Sequence, residues 1–272
     1  MSKELAYKIP TKIQLPAGKK AYFASDFHLG IDGKQAARLR EIQIVRWLNT
    51  IKQDAGVVFL QGDLFEFWFE YRTAVPKGYV RFLGCLAALR AADIPIYVFT
   101  GNHDMWLFDY FPKELDIPII RQAIQVEINE QLFFLGHGDG LGPGDYGYKM
   151  LKKVFANPIC QWLFARVHPN LGIGMAWFWS GKSRAAQQHT EVFHGKAGEW
   201  LLQYCERKLS TIPADYFIFG HRHLPIDYTL SNGHSRYLNL GEWMNYNSYA
   251  VFDGQQVALL FFENAEGRVY GL

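Results

Sequence analysis

Short apolar runs that stop at a glycine and a polar residue recur along this chain. Ile94 to Phe99 is one of them, rich in β-branched and aromatic residues, and it predicts a buried parallel strand. Gly101 is expected to end it, because glycine tolerates a sharp turn out of a sheet. Asn102, His103 and Asp104 then fall on a loop at the strand's C-terminal edge, where open α/β sheets bind ligands. Lys20 to Ser25 predicts another strand, leading into Asp26-Phe27-His28, and Val57 to Gln61 leads into Gly62-Asp63. Tyr216 to Phe219 leads into Gly220-His221-Arg222-His223. Between these runs the period changes. Gln35 to Asp54 places Leu39, Ile42, Val45, Trp47, Leu48 and Ile51 on one helical stripe, and Tyr79 to Ala92 predicts a second helix that ends before Pro95. Ile124 to Ile128 and Gln131 to Leu135 predict a hairpin around Asn129-Glu130, whose second strand ends in Gly136-His137-Gly138-Asp139. Arg236 to Leu240, Ser248 to Asp253 and Gln255 to Phe262 are the remaining strands, with Asp253-Gly254 as a tight turn. Strands alternating with helices predict a mixed α/β fold without internal repeats.

Composition bounds this picture. With 272 residues, 49% hydrophobic and 20% charged, the chain can bury a sizeable core as a single domain, 1–272. No apolar run approaches the roughly 18 residues of a membrane span. Met1 to Lys12 has no apolar signal region. Cys85, Cys160 and Cys205 lie far apart in apolar contexts and read as small buried hydrophobes in a reducing compartment. A cytoplasmic location is expected. Leu64-Phe65-Glu66-Phe67-Trp68-Phe69 is very apolar for a loop, and Phe67 and Phe69 are expected to pack under the sheet edge.

The chemistry lies in the strand ends. Asp26 and His28 are expected to point the same way, because side chains repeat every second residue in extended backbone, and His221 and His223 form a second such pair. Together with Asp63, Asn102 and His137 they make seven ligands. Seven are too many for one tetrahedral ion but suit two five- or six-coordinate ions sharing a carboxylate. Imidazole mixed with carboxylate favours Mn, Fe or Zn over Mg or Ca. Two such ions generate a hydroxide at neutral pH and clamp the oxygens of an in-line phosphoryl displacement. His103 is placed to assist the leaving oxygen, with Asp104 expected to orient its ring.

Asp26-x-His28, Gly62-Asp63, Gly101-Asn102-His103-Asp104, Gly136-His137 and Gly220-His221-x-His223, present in that order, resemble the five motifs of calcineurin-like metallophosphoesterases. The resemblance implies a four-layer α/β/β/α sandwich. It also implies that Asp63 bridges two ions, one held with Asp26, His28 and His223 and the other with Asn102, His137 and His221. Within that superfamily, Ser25-Asp26-Phe27-His28-Leu29, Gly62-Asp63-Leu64-Phe65-Glu66-x-Trp68 and His137-Gly138-Asp139, followed by a helical insertion, look like the UDP-2,3-diacylglucosamine hydrolases (pyrophosphatases) of lipid A biosynthesis. That family cleaves its lipid-linked sugar nucleotide to lipid X and UMP, using Mn, at the cytoplasmic face of the inner membrane. The likeness implies attack by a metal-bound hydroxide. Its best-known members carry Arg where His103 stands; this chain has the general superfamily form, Asn-His-Asp.

The insertion, residues 145–200, is expected to form a helical cap. From Lys149 to Lys196 it has seven basic residues against Glu191 alone, while the rest of the chain has 21 basic against 25 acidic. It also carries Phe155, Trp162, Leu163, Phe164, Trp177, Phe178 and Trp179. Asn157-Pro158 marks a helix start, so two short helices are expected, then a longer one from about Ser183 to Leu209. Basic and aromatic helices together suit an anionic lipid or an anionic membrane surface. A long basic stripe, the usual sign of nucleic-acid binding, is absent. Lys182 and Arg184 are assigned to the diphosphate, Ser183 between them to the substrate, Asp145 to the nucleotide or sugar as its position in the family pattern implies, and Asn102 to the substrate as well as to metal. A soluble metallophosphatase or phosphodiesterase acting on another anionic substrate is the alternative reading, with the insertion as a plain lid. A catalytically dead scaffold is disfavoured by the intact ligand set.

Overall fold

The structure is a computed structural model that describes residues 9–30, 33–142, 146–175 and 192–271. Two six-stranded sheets lie face to face. One has the order β12-β11-β2-β3-β4-β5, built from Val257–Phe261, Ser248–Phe252, Lys20–Ala24, Ala55–Gln61, Ile96–Phe99 and Ile119–Ile120. The other has the order β1-β6-β7-β8-β10-β9, built from Lys12–Ile13, Ile124–Ile128, Gln131–Leu135, Tyr216–Phe219, Arg236–Leu240 and Pro225–Thr229. Strands β2, β3, β4 and β5 run parallel, as do β7, β8 and β10. Their C-terminal ends therefore collect at one edge of each sheet.

The alternation along the central strands builds the layers. Ala21, Phe23, Val57 and Phe59 face the second sheet, where they meet Phe133, Leu135, Ile218 and Leu238. Tyr22, Ala24, Val58 and Leu60 face the other way, against Trp47, Leu48, Phe82 and Leu86 of helices α1 (Gly33–Ile51) and α2 (Val80–Arg90). Both faces of these strands are buried, which is why they read as unbroken apolar runs. On the far face of the second sheet, Phe134, Phe217, Phe219 and Tyr237 pack on Leu201, Leu202 and Cys205 of a later helix. The result is the four-layer α/β/β/α sandwich.

The hairpin over Asn129-Glu130 is as expected, both residues having positive φ (47° and 69°). The sequence pattern passes over short elements at the edges: β1, β5, β9 and helix α3 (Tyr110–Leu115). Cys85 and Cys205 are buried, whereas Cys160 is half-buried.

In the insertion, α4 (Tyr146–Ala156) is followed by α5 (Pro158–Phe164), capped by the Asn157 side chain on the N–H groups of Ile159 and Cys160. Residues 169–175 are also helical (α6). The long helix expected from about Ser183 to Leu209 is not continuous over its described part. It appears as α7 (Gly195–Gly198) and α8 (Trp200–Lys208), broken at Glu199, whose backbone is extended (φ −92°, ψ 99°). Glu199 leaves the helical conformation while its buried carboxylate holds Arg222 and the N–H of His194. Phe67 and Phe69 are buried as expected, but not beneath the sheet edge. They pack with Trp106 against Phe155 and Phe164, so this apolar loop is the seat of α4 and α5.

Candidate metal centre

The seven candidate ligands come from five loops at the shared sheet edge. Asp26 and His28 follow β2, Asp63 follows β3, Asn102 follows β4, His137 follows β7, and His221 and His223 follow β8. Asp26 and His28 do converge, but not through extended-strand alternation. Both lie in the left-handed region (φ 54° and 43°), as do Asp63, His221 and His223 (51°, 65° and 59°). Each such non-glycine residue costs on the order of 1–3 kcal/mol, a strain that clusters at functional sites. The requirement for Gly101 is also different from a turn: its φ is ordinary, but a Cβ there would lie 2.2 Å from Asp63 Oδ1. At Gly220 a Cβ would lie 2.3 Å from Asp26 Oδ2. These glycines let backbone press against the carboxylates.

Two donor clusters result. Asp26, His28, Asp63 and His223 form one; Asp63, His137 and His221 form the other, and Asp63 is common to both. Asp26 Oδ1 lies 3.2 Å from His223 Nε2 and 3.8 Å from His28 Nε2. Asp63 Oδ2 lies 3.3 Å from His137 Nε2 and 3.8 Å from His28 Nε2. Asn102 Oδ1 is 3.1 Å from His137 Nε2, which brings it to the second cluster.

The tautomers test whether cations fit. His137 Nδ1 donates to the Gln61 carbonyl (2.8 Å), and His28 Nδ1 faces the Glu66 carboxylate (3.1 Å). In the neutral ring this leaves a lone pair on each Nε2, aimed at carboxylate oxygens. Asp26 Oδ1 and Asp63 Oδ2 are buried without a hydrogen-bond partner. Lone pairs facing lone pairs in a buried space call for positive charge between them, and the residues fit two divalent ions. Without ions, protons fill that role. Burial alone would lower the pKa of His28 and of His137, but Asp26 and Glu66 draw the first up to about 10, and Asp63 draws the second up to about 10. Despite burial, the carboxyl group of Asp26 is held well below its usual range by His223 and His28, and that of Asp63 by His137 and His103. Burial and the neighbouring His137 push His221 down to about 4.

His103 sits at the rim of this centre, its ring edge-on to His28 at 4.9 Å. Asp104 does not orient it. The Asp104 carboxylate is turned inward and accepts from the N–H groups of Gly101 (2.7 Å), Leu64 (2.7 Å) and Asp63 (3.3 Å), so it braces the loops that carry the ligands. Burial and the charge of Asp63 push its pKa up to about 7. The orienting group is Glu66, whose carbonyl accepts from His103 Nδ1 (3.0 Å) while its carboxylate supports His28. Its signal in the sequence was a lone carboxylate within an apolar loop. Asp145, Lys182, Ser183 and Arg184 lie outside the described residues.

The sequence profile of the calcineurin-like phosphoesterases matches residues 19–225, which spans every one of these loops. The chain belongs to the calcineurin-like phosphoesterase family. It is a metal-dependent hydrolase. Among curated relatives of this phosphoesterase, a protein of Porphyromonas gingivalis named UDP-2,3-diacylglucosamine hydrolase is 37% identical over 91% of this chain and 99% of its own length. One of the same name from Aeromonas salmonicida is 27% identical over 84% of this chain and 88% of that protein. Among solved structures, Vps29 of Entamoeba histolytica in complex with zinc aligns over 90% of this chain and 99% of its own, at 12% identity and a TM-score of 0.42.

Metal ligands must be deprotonated, so protons and cations compete for this phosphoesterase's centre. Because neighbouring carboxylates raise the pKa of His28 and of His137 to about 10, binding of divalent cations should release protons near neutral pH, and affinity should rise from pH 6.5 to 8.5. Calorimetry in buffers of different ionisation enthalpy measures the release; a pH-independent affinity would contradict the ligand assignment of both histidines.

Proposed function

We propose that this phosphoesterase hydrolyses the pyrophosphate of UDP-2,3-diacylglucosamine, yielding lipid X and UMP, with two divalent ions, Mn foremost and Fe or Zn as alternatives. Asp26, His28, Asp63 and His223 would hold one ion, and Asp63, Asn102, His137 and His221 the other. The reaction class rests on Asp63 being common to two buried donor clusters. The substrate rests on the likeness to the P. gingivalis hydrolase along nearly its whole length.

Two divalent ions supply charge stabilisation for phosphoryl oxygens and a water acidic enough to attack near neutral pH. The chain's own residues do the rest. Glu66 and the Gln61 carbonyl fix the rings of His28 and His137. Glu66 also fixes Nδ1 of His103, leaving Nε2 as its proton-exchanging atom. Burial lowers the pKa of His103, and a phosphate anion alongside counters that shift, so a proton can pass from it to the leaving oxygen. Lys182, Ser183, Arg184 and Asp145 are assigned to the diphosphate and sugar nucleotide from the sequence alone.

Beside His137, a cleft of about 740 Å³ opens between the loop Gly136–Leu141 and helix α4. Its size suits a substrate of this class. Lys149, Lys152, Lys153 and Arg121 lie along it, next to Tyr146 and Met150. The described part of residues 145–200, read as a cap, exposes Ile159, Trp162, Leu163 and Leu171, with Arg166 over the Trp162 ring at 4.6 Å. No described helix is long and apolar enough to cross a membrane. Exposed apolar side chains beside basic ones support peripheral attachment to an anionic membrane, in the family's place on the cytoplasmic face of the inner membrane.

Incubation with UDP-2,3-diacylglucosamine and Mn should release UMP and a lipid monophosphate. No release, with a simple phosphodiester still cleaved, would favour the soluble phosphodiesterase reading, with which the superfamily form Asn102-His103-Asp104 is also compatible. His103→Ala should cut turnover about 10²–10⁴-fold, the usual contribution of a general acid, with Mn content unchanged; loss of Mn would make His103 a ligand. In flotation with vesicles containing anionic phospholipid, wild type should co-float and a Trp162→Ala/Leu163→Ala variant should bind less. Equal flotation of both would detach the membrane role from this face.

A further inference from the structure

The ion pair between Arg222 and Glu199 belongs to neither donor cluster yet stands next to both. Arg222 lies between His221, a member of the cluster with Asp63 and His137, and His223, a member of the cluster with Asp26 and His28. Its Nε is 2.8 Å from Glu199 Oε2 and its Nη2 is 3.0 Å from Oε1, a two-pronged pairing. Nη2 also donates to the Val192 carbonyl at 2.7 Å, and Glu199 Oε1 accepts from the His194 N–H at 3.2 Å. The two side chains are 10% and 1% exposed.

This pair stands where the two ends of the insertion meet. Trp200, the residue after Glu199, packs edge-on to His221 at 5.7 Å. The same indole covers Gly142, where a Cβ would come within 2.2 Å of it. Gly142 and Asp139 in turn accept from Lys149 (2.6 Å) and Lys152 (2.5 Å) of α4. From below, the His221 N–H donates to Asp26 Oδ2 at 3.0 Å. The turn that carries both histidines is thus gripped on one side by a candidate ligand and on the other by the segment returning from the insertion.

We propose that Arg222 and Glu199 are positioning residues that lock the His221-Arg222-His223 turn to residues 192–200, so that filling the two ion sites and seating that segment are one event. This rests on the ligand assignment given above. Stability is a poor reason for the pair, because a buried ion pair of this kind is commonly matched or surpassed by an apolar pair of similar volume. Direction is a better one. His221 and His223 are both held at left-handed φ, a conformation that persists only where its surroundings over-determine it. A two-pronged anchor on the residue between them fixes both rings at once, and any shift of Glu199 moves one ligand of each ion.

The test is amide hydrogen exchange of the full-length protein with and without Mn, alongside Mn affinity by calorimetry. In wild type, Mn should slow exchange over residues 192–205 at least tenfold. Glu199→Gln and Arg222→Lys should weaken Mn binding 10–100-fold, as loss of a group orienting metal ligands does, and should lose the protection. The paired replacement Glu199→Met/Arg222→Met removes the charges together and keeps the volume; it should fold and bind Mn weakly, without protecting 192–205. Mn bound by wild type with exchange over 192–205 unchanged overturns the coupling and leaves the ion sites standing. So does a paired variant that binds Mn as tightly as wild type and still protects the segment. A wild-type protein that binds none of Mn, Fe and Zn overturns the ligand assignment and this inference with it.

Discussion

Lone pairs crowded together without a positive charge are the constraint on which the rest of this structure depends. The Nε2 atoms of His28, His137 and His223 and carboxylate oxygens of Asp26 and Asp63 meet within a few ångströms, the two carboxylates and the first two rings buried. Left alone, such an arrangement would fly apart or fill with protons. It is held by backbone, by ring tautomers pinned from behind, and by the cations that such a donor set attracts. Nearly every feature around it can be read as something that stops those atoms from moving away.

The scaffold supplies that resistance in layers. Two sheets share an aromatic core in which Phe23 stacks between Phe59 and Phe133, so the parallel ends of both sheets are brought to one edge. Gln61 stitches them at that edge: its side chain donates to the Ile218 carbonyl, and its own carbonyl takes the His137 ring. Asp104, buried and unable to reach solvent, gathers three N–H groups from the two loops that present Asp63 and Asn102. Five of the seven candidate ligands sit in a backbone conformation that only a rigid surround sustains.

The run from Leu64 to Phe69 shows how few residues connect the layers. Phe65 and Trp68 enter the core beneath α2 and α3; Phe67 and Phe69 turn to the other side and seat α4 and α5. Glu66, between them, reaches His28 and His103. The insertion is therefore tied to the centre along this loop from one side and along Glu199 and Arg222 from the other.

Strand ends with Asp, Asn and His in a fixed order were enough to point to the family and, through that resemblance, to the fold and to metal chemistry, because apolar runs buried on two faces and donors at their C-terminal edges leave a local imprint. Other features required the folded chain, since each depends on residues distant in sequence. Asp104 looks like a partner for the adjacent His103, yet distant N–H groups claim it, and Glu66 takes its place from 37 residues away. The helix expected to run through Glu199 breaks at that residue, whose carboxylate is bound by Arg222, 23 residues on. The left-handed twist of Asp26 and His28 contradicts the alternation expected of a strand, because the loop is shaped by what it must hold. Sequence determined which chemistry the chain carries; only tertiary structure decided which groups orient it, since hydrogen bonds across loops are set by proximity in space, for which no local pattern exists.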